Sequence, residues 1–259
     1  MNTDMQHLRF YDVYMNIITR DRTVRGISVD KNLIFAAGII LTLACVYIAY
    51  RFMKKYESGD YRRALWLKSA AALCFVVLGL VNSVVGIDPD YARRVCIGLA
   101  LGLIGDALLA MRFLYPDRSD QFFSAGALSF AFGHLMYIRA LIQFAGMTLI
   151  CSLLLFALGY AAAMFYGRHR KVDAGHLNVC AAAYIALVVL MASVACGVAA
   201  RTFSMGTLMF AVAGICFSVS DCILCAYCYG DKKTKGMNAA VHVTYYAAQL
   251  LIAWSIALV

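Results

Sequence analysis

The chain has 259 residues, of which 63% are hydrophobic and 14% charged, with a formal net charge of +9. That balance lies outside the soluble globular range and marks a polytopic membrane protein. The positive charge does not indicate a nucleic-acid partner, because Lys and Arg fall between apolar runs, where they serve as topology signals and contacts for anionic headgroups. The 10 cysteines lie almost all inside apolar stretches, where Cys behaves as a small hydrophobe, so no disulfide framework is implied.

Residues 1–31 form a polar N-terminal tail of mixed charge, without an apolar core followed by a cleavage site, and so without a removable signal peptide. An interfacial helix is expected around Phe10 to Ile18. Residues 32–259 carry eight apolar segments, at 32–52, 65–86, 95–114, 121–143, 147–166, 177–200, 204–229 and 239–258. Each is near the roughly 20 residues that cross a bilayer. Helices are the open-chain solution there, since every backbone N–H and C=O must be satisfied within its own segment. The expected fold is therefore all-α, one bundle of eight transmembrane helices joined by short links, with no soluble domain.

Orientation follows from the basic residues. The loops and helix ends after segments 1, 3, 5 and 7 hold most of them, including Lys54, Arg63, Arg112, Arg170 and Lys233, while the opposite side holds only Arg93, Arg94, Arg139 and Arg201. This bias places both termini on the outer face. The tail, with Arg9, Arg20, Arg22, Arg25 and Lys31, pulls the other way. Compact loops and the absence of an evident targeting signal point to a bacterial plasma membrane.

Two aspartates stand inside this apolar sequence, Asp106 on segment 3 and Asp221 on segment 7. An ionisable group at that depth is expensive and is read first as functional. They also head a repeat. Gly105-Asp-Ala-Leu-Leu-Ala110 aligns with Ser220-Asp-Cys-Ile-Leu-Cys225, and in the same register His134 falls on Gln249, one helix further on. A four-helix offset preserves direction, so the pattern predicts a parallel 4+4 duplication. Gly98, Gly102, Gly105 and Asp106 share a stripe on segment 3, where small residues let a neighbouring helix come close. Segment 4 presents Phe130, His134 and Tyr137 on one face. Segment 8 presents His242, Tyr245, Tyr246 and Gln249, and segment 7 presents Ser218, Asp221 and Cys225. Four helices thus direct hydrogen-bonding groups inward at similar depth. Lys68, near the start of segment 2, either snorkels to the headgroups or receives the phosphate of a bound lipid. Cys222, Cys225 and Cys228 recur in steps of three, which drift around a helix and do not converge on one ion. His134 and His242 lack a close-spaced partner for a zinc site. No metal or other cofactor is expected.

Taken together, these motifs resemble the YhhN-type lysoplasmalogenase family. The matching positions are Gly105, Asp106 and Leu109; Phe130, Gly133, His134 and Tyr137; Ser220 and Asp221; Thr244, Tyr245, Tyr246 and Gln249; with Tyr184 on segment 6 and Lys68 on segment 2. Ser69 follows that Lys where the family pattern has Pro. The resemblance spans about residues 32–258 and leaves the tail outside. It implies hydrolysis of the vinyl ether bond of lysoplasmalogens to a fatty aldehyde and a glycerophospho-base, with a lysophospholipid and the surrounding membrane lipids as partners. The residues suit that chemistry independently. Vinyl ethers resist base and are cleaved by acid, through proton transfer to carbon and an oxocarbenium-like cation that water captures. Two carboxyls of different protonation state serve such a reaction, as in glycosidases. Asp106 and Asp221 are the expected pair, with the acid of the two left open. His134, Tyr245 and Gln249 are expected to orient water or the carboxyls. Lys68 would hold the phosphate at the cytoplasmic rim, with Tyr137, Tyr184, Tyr246 and Ser218 lining the substrate site. The alternative is a proton-coupled transporter of a small molecule or lipid, since buried Asp and His in a duplicated bundle also serve proton relays. The two prolines, Pro89 and Pro116, both lie in expected loops and give such a carrier no helix break.

Overall fold

A computed structural model describes residues 23–24, 27–28, 30–146 and 149–259. The helix expected around Phe10 to Ile18 lies outside the described residues. Two short strands, β1 (Thr23–Val24) and β2 (Ile27–Ser28), pair antiparallel ahead of the bundle. Eight helices follow: α1 (Lys31–Glu57), α2 (Tyr61–Ser83), α3 (Pro89–Met111), α4 (Ser119–Ala145), α5 (Leu149–His169), α6 (Asn178–Arg201), α7 (Met205–Tyr229) and α8 (Lys235–Leu258). All are long and apolar enough to cross a membrane. They correspond one to one with the apolar segments, and several run further at the basic end. α1 continues through Arg51, Lys54 and Lys55 to Glu57, because long cationic side chains carry their charge out to the headgroups while the backbone stays helical.

Five of the helix starts are written in polar caps. Asp88 accepts from the N–H groups of Asp90 and Tyr91 at 2.9 and 3.0 Å, ahead of Pro89 at the first helical position. Pro is favoured there because its missing N–H would have no intrahelical partner. Ser204 and Thr207 form a reciprocal capping box at α7, and Thr234 accepts from Met237 N at 3.2 Å at α8. Each cap satisfies helix-end donors that have no partner inside the helix. α2 ends at Ser83, short of the expected 86, in a turn in which Val85 N and Gly86 N reach back to Asn82 O.

α3 packs on α4 and α7 on α8, and the two halves meet where α2 lies on α8 and α4 on α6. The central helices carry the core: Phe75, Leu99, Met191, Phe210 and Ile252 are fully enclosed. α1 and α5 are peripheral and turn Leu43, Ile40, Ile150 and Leu158 outward as a lipid-facing band. Ser220 Oγ donates to Val241 O at 3.0 Å. Between α3 and α4 a Cβ at Gly126 would lie 3.2 Å from Gly105 O.

Candidate active site

The glycine stripe on α3 makes room for side chains. The ring of Tyr137 lies directly over Gly98, where a Cβ would collide with it. A Cβ at Gly102 would sit 2.6 Å from Gln249 Nε2, and one at Gly105 2.7 Å from the ring of Phe130. The stripe lets α4 and α8 set their polar and aromatic groups against α3 beside Asp106.

Asp106 is fully buried and doubly engaged. Its Oδ1 lies 3.0 Å from Lys68 Nζ, and its Oδ2 accepts from the Tyr245 hydroxyl at 2.6 Å. Gln249 Nε2 donates to Tyr245 Oη at 3.2 Å, and Tyr137 donates to Gln249 Oε1 at 3.1 Å. A relay therefore runs from α4 through α8 to the carboxylate, each member fixing the orientation of the next. Lys68 also sits 5.9 Å from the centre of the Phe52 ring. The expectation of Lys68 at a solvated rim is corrected: the side chain is 9% exposed and committed to an ion pair. A buried lysine needs such a partner, and Asp106 is the carboxylate in reach.

Asp221 is held differently. Its Oδ2 accepts from the Tyr184 hydroxyl at 2.7 Å, and among the described residues no cation forms an ion pair with it. Both aspartates, with Lys68, Tyr184 and Tyr245, border one cavity of about 560 Å³. Its remaining wall is largely apolar, including Leu109, Phe130, Ala131, Leu187 and Leu224. The cavity reaches the end of the bundle where α1, α3 and α7 finish, beside Tyr61, Arg112, Phe113 and Tyr229. It also comes to the surface between α4 and α6, where Leu128 and Cys180 border it and are themselves exposed.

Other expected site residues stand back from this space. Tyr137 and Gln249 act one layer behind Tyr245. His134 is buried, with neither ring nitrogen hydrogen-bonded among the described residues; it meets the Phe217 ring edge-on at 4.6 Å and the Tyr184 ring at 6.0 Å. It touches neither carboxylate. Ser218 donates to Gly214 O at 3.0 Å and also reaches Val188 O, so its hydroxyl is spent on the backbone and does not line the cavity. Tyr246 is buried against Tyr245 with a hydroxyl that has no hydrogen-bond partner among the described residues, again away from the cavity. In their place the cavity gains Arg112, read from sequence as a topology signal, together with Tyr56 and His242. His242 was visible on the polar face of α8; for Tyr56 and Arg112, at the ends of apolar runs, no local signal distinguishes wall from surface.

An eight-helix membrane bundle enclosing two carboxylates, one ion-paired and one held by a phenol, is the class this fold and site define. The model of the YhhN family matches residues 63–256, and the chain belongs to that family. No curated protein and no solved structure shows significant similarity to it.

Proposed function

We propose that this protein is an ether hydrolase that cleaves the vinyl ether bond of lysoplasmalogens, releasing a fatty aldehyde and a glycerophospho-base. The observation that carries the reading is the pair of unlike carboxyls on one apolar-walled cavity. Lys68 at 3.0 Å holds Asp106 as the carboxylate, whereas Asp221, which accepts from the Tyr184 hydroxyl and has no ion pair among the described residues, is the group to carry a proton. Asp221 then protonates the vinyl carbon remote from oxygen, and the C=C electron pair forms the new C–H bond. The resulting oxocarbenium ion is stabilised by the fixed carboxylate of Asp106, an interaction strong in a water-poor site. Asp221, now ionised, removes a proton from water as the water oxygen bonds to the cationic carbon. This gives a hemiacetal and restores the acid. The hemiacetal collapses as its hydroxyl proton leaves and the glycerol oxygen is protonated, so one water is consumed and nothing is oxidised.

The opening between α4 and α6 suits a substrate whose chain stays in the bilayer while its ether bond enters the cavity. The basic residues around the cavity's mouth favour a cytoplasmic orientation for it, with both termini outside. In this scheme Tyr245 and Gln249 position Asp106, Tyr184 positions Asp221, and His134 packs behind Tyr184. α3 and α7 run unbroken through both aspartates, without the discontinuities on which carriers build their sites. Aldehyde release by D221N and D106N tests the scheme. Both variants are expected to lose at least about a hundred-fold in kcat, the scale of general acid–base catalysis. Near-normal turnover in folded D221N would exclude Asp221 as the acid.

A further inference from the structure

Arg112 is the second cation on the cavity wall, and nothing so far uses it. Its guanidinium packs 4.6 Å from the Phe113 ring centre and 5.3 Å from that of Phe123. Its hydrogen-bond partner is Cys228 Sγ, at 3.6 and 3.7 Å from the two terminal nitrogens. A thiol is a weak acceptor, whereas a guanidinium offers five donors in a planar fork suited to phosphate. Among the described residues Arg112 makes no ion pair with a carboxylate, while Lys68 already has Asp106. With Asp221 protonated, the charges of Lys68, Asp106 and Arg112 sum to one positive charge, which calls for an anionic group on the molecule that enters.

The position fits a particular spacing. Arg112 closes α3 six residues beyond Asp106, a rise of about 9 Å along a helix. In a glycerophospholipid with a vinyl ether at the first carbon, seven bonds separate phosphorus from the vinyl carbon that takes the proton. An extended chain covers ~3.5 Å in three bonds, so seven span about 8 Å by the same measure. Phosphate at Arg112 therefore sets the double bond at the depth of the carboxylates.

We infer that Arg112 is the phosphate-binding residue of this cavity, and that it selects phosphate-bearing single-chain ether lipids over phosphate-free alkenylglycerols. The inference rests on the hydrolase reading for its substrate, and the second arm of its test does not depend on turnover. kcat/KM is measured for a 1-alkenyl lysophospholipid and for the 1-alkenylglycerol lacking phosphate, with wild type, R112Q and R112K. Charge-assisted hydrogen bonds are about twice as strong as neutral ones, and R112Q is expected to reduce the preference for the phosphate-bearing lipid by about ten- to a hundred-fold, mainly through KM. R112K retains charge without the fork and should fall between. An unchanged preference in R112Q, with both substrates affected alike, overturns the inference and leaves Arg112 structural. Binding of a saturated alkyl ether lysophospholipid to the protein in nanodiscs forms the second arm. If no vinyl ether is hydrolysed yet that lipid binds at least ten-fold more weakly to R112Q, the hydrolase reading fails and the phosphate site stands. Equal binding to wild type and R112Q overturns the phosphate site whatever the turnover.

Discussion

Replacing Lys68 by Met probes the ion pair on which the asymmetry of the two carboxyls depends. The side chains of Lys68 and Asp106 are 9% and 2% exposed and meet at 3.0 Å. At an effective dielectric of about 20, charges at that separation attract by roughly 5 kcal/mol, before the desolvation that offsets it. Removing one member of such a pair strands a buried charge, which typically costs about 3–5 kcal/mol. Tyr245 and its relay still face Asp106 in K68M but supply no positive charge. At about 2–4 °C of Tm per kcal/mol for a large domain, thermal unfolding of K68M in detergent should shift down by roughly 6–20 °C. D106N alone strands the ammonium and should lose a similar amount. The double variant K68M/D106N removes both charges and should recover a large part of the loss, giving a coupling energy above about 2 kcal/mol in the cycle. Additive losses, or a K68M protein as stable as wild type, would refute a desolvated pair and with it the argument that Asp106 is held as the carboxylate.

Other outcomes follow from the same geometry. G98A drives a methyl group into the Tyr137 ring and should destabilise by about 1–3 kcal/mol, the usual cost of overpacking, read as a lower Tm. A131W fills the cavity wall facing the α4–α6 opening; it should depress turnover of long-chain alkenyl lipids more than short-chain ones in a chain-length series, and an equal loss at every length would contradict a lateral path for the chain. Outside the membrane, Asp173 accepts from Asn178 Nδ2 at 2.8 Å and Gly175 N at 2.9 Å, with Asn178 holding its carboxyl below the ordinary value first and Gly175 second. Because the folded value is the depressed one, the stabilisation is present above the unfolded-state pKa and is lost as pH falls through the folded one. Hydrogen exchange at Gly175 should therefore quicken, relative to a D173N control, only at acid pH.

Much of this architecture was legible from sequence because the bilayer constrains the chain so strongly. Eight apolar runs become eight helices, since backbone hydrogen bonding leaves no other solution. Asp106 and Asp221 were legible for the same reason, as charges in apolar context. What joins them was less so. Lys68 lies near a helix start, where snorkelling is the ordinary behaviour, and its commitment to Asp106 depends on how α2 meets α3. Ser218 shares the polar side of α7, yet its hydroxyl is captured by the carbonyl one turn back, as serines in helices often are. Tyr246 follows Tyr245 and points to a different neighbour, because consecutive helical residues do not share a face. Arg112 belongs by composition to the topology-setting cations and becomes a cavity residue only because its side chain reaches Phe123 on α4 and Cys228 on α7.

Proton transfer to a vinyl carbon leaves an isotopic mark when the reaction runs in D₂O. Purified protein is given a 1-alkenyl lysophospholipid, with the saturated alkyl ether lipid as control, and the released aldehyde is analysed by mass spectrometry. Aldehyde is expected from the alkenyl lipid alone, carrying one deuterium at the carbon next to the carbonyl. Aldehyde without that deuterium, release from the saturated ether, or no release by folded protein would rule out vinyl ether cleavage by protonation at carbon.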